Sequence, residues 1–117
     1  MIHPLSAAEE IAFYLNVSKS KAILTLAQFY DKVSSVLDKV EQPVTVLIAR
    51  IADELPAPLK LLYPITSGGK ADRKPKSNDY TLWYDMVSAG KNTVLPADNG
   101  KAEDCGAILY SGGTTGT

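Results

Sequence analysis

The chain has 117 residues, 45% of them hydrophobic and 21% charged, with a formal net charge of −1. That length allows a single domain, and the charge balance excludes an electrostatic case for nucleic acid or an anionic membrane as a bulk partner. No apolar run reaches the roughly 20 residues of a transmembrane segment, and one cysteine, Cys105, forms no internal disulfide or metal-ligand spacing. "MIHPLSAAEE" lacks the basic start and apolar run of a signal peptide, so a cytoplasmic location is the expectation.

The first element is a helix over about residues 6–16. Ser6 and Glu9 have capping-box spacing, and Ala8, Ile11, Ala12 and Leu15 recur at helical intervals. "KAILTL" at 21–26 is a short, nearly continuous apolar run, which predicts a strand covered on both faces. Residues 27–40 then place Phe29, Val33, Val36, Leu37 and Val40 on one helical face. Pro43 blocks continuation, and "VTVLIA" at 44–49 is a second buried-type strand. Strand, amphipathic helix and strand within about thirty residues predict a βαβ unit with parallel strands.

Residues 50–64 hold three prolines and the patch "LKLLY", enough for a helical turn or two. "TSGGKADRKPKSND" at 66–79 carries Lys70, Arg73, Lys74 and Lys76 and predicts a flexible surface loop, its charge diluted by Asp72 and Asp79. "NDYTLWYDMVSAG" at 78–90 predicts a helix capped by Asn78 or Asp79 and stopped by Gly90 in a left-handed conformation. "GAILYS" at 106–111 predicts a third strand. The order of elements predicts an α/β fold with a mainly parallel sheet and flanking helices.

That strand runs into "YSGGTTGT" at 110–117, a Gly/Thr-rich turn of the kind that cradles phosphate with backbone N–H groups and hydroxyls. A Walker loop fails, because Thr117 stands where its second glycine belongs, and no register gives G-x-G-x-x-G before a helix. Composition alone would read the run as a linker.

"YSGGTTGT" resembles the phosphate-binding motif of the adenylate-forming superfamily, which includes acyl-CoA synthetases. Tyr110, Ser111, Gly113, Thr114, Thr115 and Gly116 fall on that motif, while Gly112 departs from its usual Ser. "HPLSAAEEIAFYLNVSKSKAILTL" is similar to an upstream stretch of the family, and "AEDCGAILYSGG" to its lead-in strand. "LWYDMVSAG" gives a flavour closest to the long-chain fatty acid ligases.

The resemblance implies that 1–117 is a single slice of the large N-terminal AMP-binding domain, ending inside the phosphate loop. It implies a parent that uses ATP and Mg2+ to activate a carboxylic acid, of the fatty acid class, as its acyl-adenylate, with coenzyme A as acyl acceptor. Ser111, Gly112, Gly113, Thr114, Thr115, Gly116 and Thr117 are then the ATP-phosphate-binding residues. No catalytic or metal-binding residue is implied within the chain, so the chain alone is expected to be inactive. The competing expectation is a free-standing, flavodoxin-like binding or regulatory module with an unstructured Gly/Thr tail. A slice of a larger domain should also expose apolar surface and self-associate through that surface or a sheet edge.

Other residues read as structural. His3, the one histidine, suits a His-Pro entry to a helix. Cys105 reads as a small buried residue, and Tyr80, Trp83 and Tyr84 as core packing rather than a stacking platform. Glu9–Glu10 and Glu103–Asp104 read as cap and turn chemistry.

Overall fold

A computed structural model describes residues 1–66 and 71–110. It is α/β, with an all-parallel three-stranded sheet of order β1-β2-β3 and helices against it. The strands are β1 (Ala22–Leu26), β2 (Thr45–Ala49) and β3 (Thr81–Leu82). The helices are α1 (Ala8–Ser18), α2 (Tyr30–Ser34), α3 (Ile51–Glu54), α4 (Ala57–Leu62) and α5 (Trp83–Gly90).

The expected βαβ unit forms. β1 and β2 pair in parallel from Ala22↔Thr45 to Leu26↔Ala49. β2 lies between the other two strands, and its Val46, Leu47 and Ile48 are all buried, so both of its faces are covered. β1 departs from the same expectation. It has a strand on one side among the described residues, and Leu24 is 51% exposed. Ile11, Ala12 and Leu15 of α1 join Tyr30, Val33, Val36, Val46 and Ile48 in one core.

α1 starts one residue later than the capping box at Ser6 predicts. Ala7 is the N-cap, and its N–H donates to Glu10 Oε2 at 3.2 Å. Alanine has no side-chain acceptor, so only the carboxylate half of a box exists. Lys19 closes the helix at φ 49°, ψ 39°, with the Ser20 N–H donating to the Leu15 carbonyl at 3.1 Å. This is a left-handed C-cap without glycine. Two amide side chains then bind the returning crossover to the end of α1. Asn16 Nδ2 donates to the Lys39 carbonyl at 3.0 Å and its Oδ1 accepts from the Glu41 N–H at 2.9 Å. Gln42 Nε2 donates to the Leu15 carbonyl at 2.9 Å.

The predicted helix over 27–40 is broken into a 3-10 turn (Ala27–Phe29), α2 and a second 3-10 turn (Leu37–Lys39). Ser35 Oγ donates back to the Lys32 carbonyl at 2.8 Å, and competition of this kind with the helical ladder interrupts helices. The apolar face survives the break, with Tyr30, Val33 and Val36 buried.

Four further expectations are corrected. Thr81 and Leu82 form β3, paired to Leu47 and Ile48, so the helix behind them starts at Trp83 and is not capped by Asn78 or Asp79. Gly90 lies inside α5 and no described glycine has positive φ; the chain continues right-handed at Lys91. Residues 106–110 are not a strand: the N-terminal ammonium donates to the Ile108 carbonyl at 2.8 Å, and no described strand pairs with them. Cys105 is exposed rather than buried.

Residues 91–109 are exposed throughout. The Cα radius of gyration is accordingly 16.7 Å, against about 13 Å for a globular domain of this length. Exposed large apolar side chains are present on several elements.

Candidate functional site

The seven phosphate-loop residues, Ser111 through Thr117, lie outside the described residues. The structure places the segment leading to them. Tyr110 stacks on Tyr14 of α1, with ring centroids 4.1 Å apart and planes inclined by 26°. Its hydroxyl donates to the Tyr14 carbonyl at 3.2 Å. Phe13 meets Tyr14 edge-on at 5.7 Å, so Tyr14 is flanked by two rings.

Between this lead-in and β1 lies a cleft of about 840 Å³. Residues of β1 from Ala22 to Leu26 line it on one side, and Cys105 to Ile108 on the other. Because consecutive strand residues point to opposite faces, a cleft touching all of them opens along the edge of β1. Ile11, Leu15 and Val33 make its floor apolar, in the manner of a ligand cleft with few polar groups.

The polar groups at the cleft are mostly engaged. Lys32 Nζ donates to the carbonyls of Ser6 at 3.2 Å and Pro4 at 3.4 Å, tying the N-terminal segment to α2. His3 Nδ1 accepts the Leu5 N–H at 3.1 Å, and its carbonyl accepts from Ser6 at 3.0 Å, which is the structural role read from the sequence. Ser18 Oγ donates to the Tyr14 carbonyl at 2.7 Å. Cys105 Sγ is 3.7 Å from the Ala107 carbonyl with no histidine bonded to it. No nucleophile–base pair is assembled among these side chains.

Among the described residues no group of three His, Cys, Asp or Glu side chains is placed to hold a metal ion. No helix among them is long and apolar enough to cross a membrane. The Lys39 ammonium is held above its ordinary range by the hydrogen bond it donates to Glu9 and by the charge of that carboxylate, on the surface away from the cleft.

Two further readings change. Asp72, read as diluting the charge of a surface loop, is 4% exposed. Its Oδ1 and Oδ2 accept the N–H groups of Ile51 and Ala52 at 2.9 and 2.8 Å. Of the aromatic trio, Tyr80 packs edge-on against buried Tyr30 at 5.4 Å, but Tyr84 is 49% exposed. Beyond a second aromatic beside Phe13 on an otherwise amphipathic helix, the sequence gives no warning that Tyr14 is the ring on which Tyr110 stacks.

Compared with curated proteins, the chain is similar to a long-chain-fatty-acid–CoA ligase of Bacillus subtilis (strain 168), at 28% identity over a 118-residue alignment. The alignment takes in 97% of this chain. It is a distant likeness, and it points to the adenylate-forming family. The chain spans 20% of that relative's length. No family model matches the chain. No solved structure matches it.

Proposed function

We propose that this chain is part of an ATP-dependent, AMP-forming acyl-CoA synthetase. The enzyme would activate a carboxylic acid of the fatty acid class and transfer the acyl group to coenzyme A. The observation that carries this reading is the likeness to a long-chain-fatty-acid–CoA ligase along 97% of the chain. The parallel α/β architecture is compatible with a piece of the large domain of such an enzyme.

A carboxylate is a poor electrophile because its leaving group would be oxide; a mixed anhydride with AMP supplies a good one. In the proposed step a carboxylate oxygen bonds to the α-phosphorus as the bond to pyrophosphate breaks. Ser111, Gly112, Gly113, Thr114, Thr115, Gly116 and Thr117 would hold the β- and γ-phosphates so that this attack is in line. Their backbone N–H groups and hydroxyls would offset charge growing on the departing pyrophosphate. Mg2+, when bound, supplies further charge neutralisation on the phosphates. Among the described residues no group of three His, Cys, Asp or Glu side chains is placed to hold it.

Tyr14 and Tyr110 have a positioning role in this scheme: their stack fixes the residue that immediately precedes the loop against α1. The deciding experiment is carboxylate-dependent ATP–pyrophosphate exchange by the complete ligase. Exchange that depends on a fatty acid supports the reading. A complete protein that exchanges with no carboxylate tested would sink it. The 117-residue chain alone should show no exchange, because the resemblance implies no catalytic residue within it.

A further inference from the structure

The chain holds the asparagines Asn16, Asn78, Asn92 and Asn99, and the last stands in a setting unlike the others. Asn99 is exposed, in a stretch from 93 to 101 with no regular backbone structure. Among the described residues nothing hydrogen-bonds its side chain. Gly100 follows it, and the Gly100 N–H donates to Asp98 Oδ1 at 2.9 Å. That carboxylate is itself exposed, so water competes for the bond. Glycine has no side chain to keep its nitrogen away from the preceding carboxamide, which permits a close backbone approach.

The other asparagines are restrained. Asn16 lies in α1 with Nδ2 bound to the Lys39 carbonyl and Oδ1 to the Glu41 N–H. Asn92 precedes β-branched Thr93, whose N–H donates to the Gly90 carbonyl at 3.0 Å. Asn78 precedes Asp79, whose N–H donates to Ser77 Oγ at 3.2 Å and whose carboxylate accepts from that hydroxyl at 2.9 Å. In both exposed cases a side chain on the following residue crowds the nitrogen.

We propose that Asn99 is a site of spontaneous deamidation, a covalent change whose co-reactant is water. The Gly100 nitrogen loses its proton to solvent and bonds to the side-chain carbonyl carbon of Asn99. The bond from that carbon to Nδ2 breaks, and Nδ2 leaves as ammonia with a proton from water. A cyclic imide is left. Water then adds to one imide carbonyl and breaks the bond from that carbon to the ring nitrogen. Opening at the side-chain carbon gives an aspartyl residue. Opening at the backbone carbon gives an isoaspartyl residue, with one more carbon in the main chain between α5 and Tyr110. The sum is amide plus water to carboxylic acid plus ammonia, with nothing oxidised or reduced. The product adds a negative charge to a chain whose formal net charge is −1. The inference rests on these contacts and is independent of the ligase reading.

The test holds the 117-residue chain at neutral pH and body temperature and follows the tryptic peptide 92–101 by tandem mass spectrometry. Fragment ions of that peptide separate Asn92 from Asn99. Position 99 is expected to gain about 1 Da with time, in two products that separate on chromatography, aspartyl and isoaspartyl. Asn16, Asn78 and Asn92 should keep their mass over the interval in which half of Asn99 converts. G100A should slow the change by about tenfold or more. Its added Cβ would meet the movable Asp98 carboxylate at 3.0 Å, and circular dichroism would verify that the fold is kept. No mass gain at position 99, conversion of Asn78 or Asn92 at the same rate, or an undiminished rate in G100A would overturn the proposal. An aspartyl product with no isoaspartyl form would overturn it too, by showing hydrolysis without the ring.

Discussion

Asp72 accepts the backbone N–H of Ala52 at 2.8 Å from twenty residues further along the chain. With Ile51 bound to its other oxygen, the carboxylate satisfies two N–H groups that a helix start otherwise leaves orphaned. The same residue's carbonyl holds Arg50, so one position fastens the segment around 72 to the carboxyl end of β2.

Replacing Asp72 therefore strands two donors in a buried setting. Asp72→Ala should lower unfolding free energy by about 2–3 kcal/mol, and Asp72→Asn, which keeps one acceptor, by about 1 kcal/mol. Urea unfolding followed by circular dichroism reads both. Losses equal in the two variants would show that the acceptor geometry does not matter.

This contact also shows what could be read in advance. The parallel pair β1–β2 was legible, because two short apolar runs flanked an amphipathic stretch and Pro43 ended it. β3 was not, since Thr81 and Leu82 fall within a run whose apolar spacing is helical, and only pairing with Leu47 and Ile48 distinguishes them. "GAILYS" has the composition of a strand, but composition does not supply a neighbour, and 106–110 pair with no described strand. Asp72 looked like any loop acid because its partners are remote in sequence. The candidate phosphate loop, Ser111 to Thr117, is read only as a motif and lies outside the described residues, and nothing in its spacing names Tyr14 as the ring against which Tyr110 rests.

Lys19 offers a gain in stability. Its φ of 49° is the one positive value among described non-glycine residues. A side chain in that conformation costs about 1 kcal/mol, which glycine avoids at a helix C-cap. Lys19→Gly should raise the urea midpoint by an amount equivalent to about 1 kcal/mol or somewhat less, since glycine also loosens the unfolded chain. An unchanged or lowered midpoint would mean that the left-handed cap is not adopted in solution.

The Lys39–Glu9 pair predicts a small effect with a definite sign. A lysine held above its ordinary value contributes stability that is complete below its unfolded pKa of 10.5 and is lost as pH rises through the higher folded value. Glu9→Gln should therefore bring the Lys39 titration, followed by NMR of its side chain, back down toward 10.5. Both groups are exposed and screened, so near-neutral stability should scarcely change.

The Tyr14–Tyr110 stack predicts a local rather than a global change. An aromatic pair contributes about 1 kcal/mol beyond burial, a factor of about five in the opening of whatever it holds. In Tyr14→Ala, proteolysis within 105–110 should speed up about fivefold while the unfolding midpoint moves little, because those residues lie outside the core. An unchanged cleavage rate would remove Tyr14 from any positioning role.

Thr114 and Thr115 carry the prediction that bears on the proposed chemistry. If their hydroxyls hold the outer phosphates, their worth appears as charge builds on pyrophosphate rather than when the acid binds. In the complete ligase, Thr114→Ala and Thr115→Ala should each slow ATP–pyrophosphate exchange by about tenfold to a hundredfold. The KM for the carboxylic acid should stay constant, since neither hydroxyl would touch it. Thr→Ser at either position, which keeps the hydroxyl, should restore most of the rate. If Ser fails to rescue, the side chains shape the loop instead of donating to phosphate. If both Ala variants exchange at the parental rate, Ser111–Thr117 is not the phosphate site.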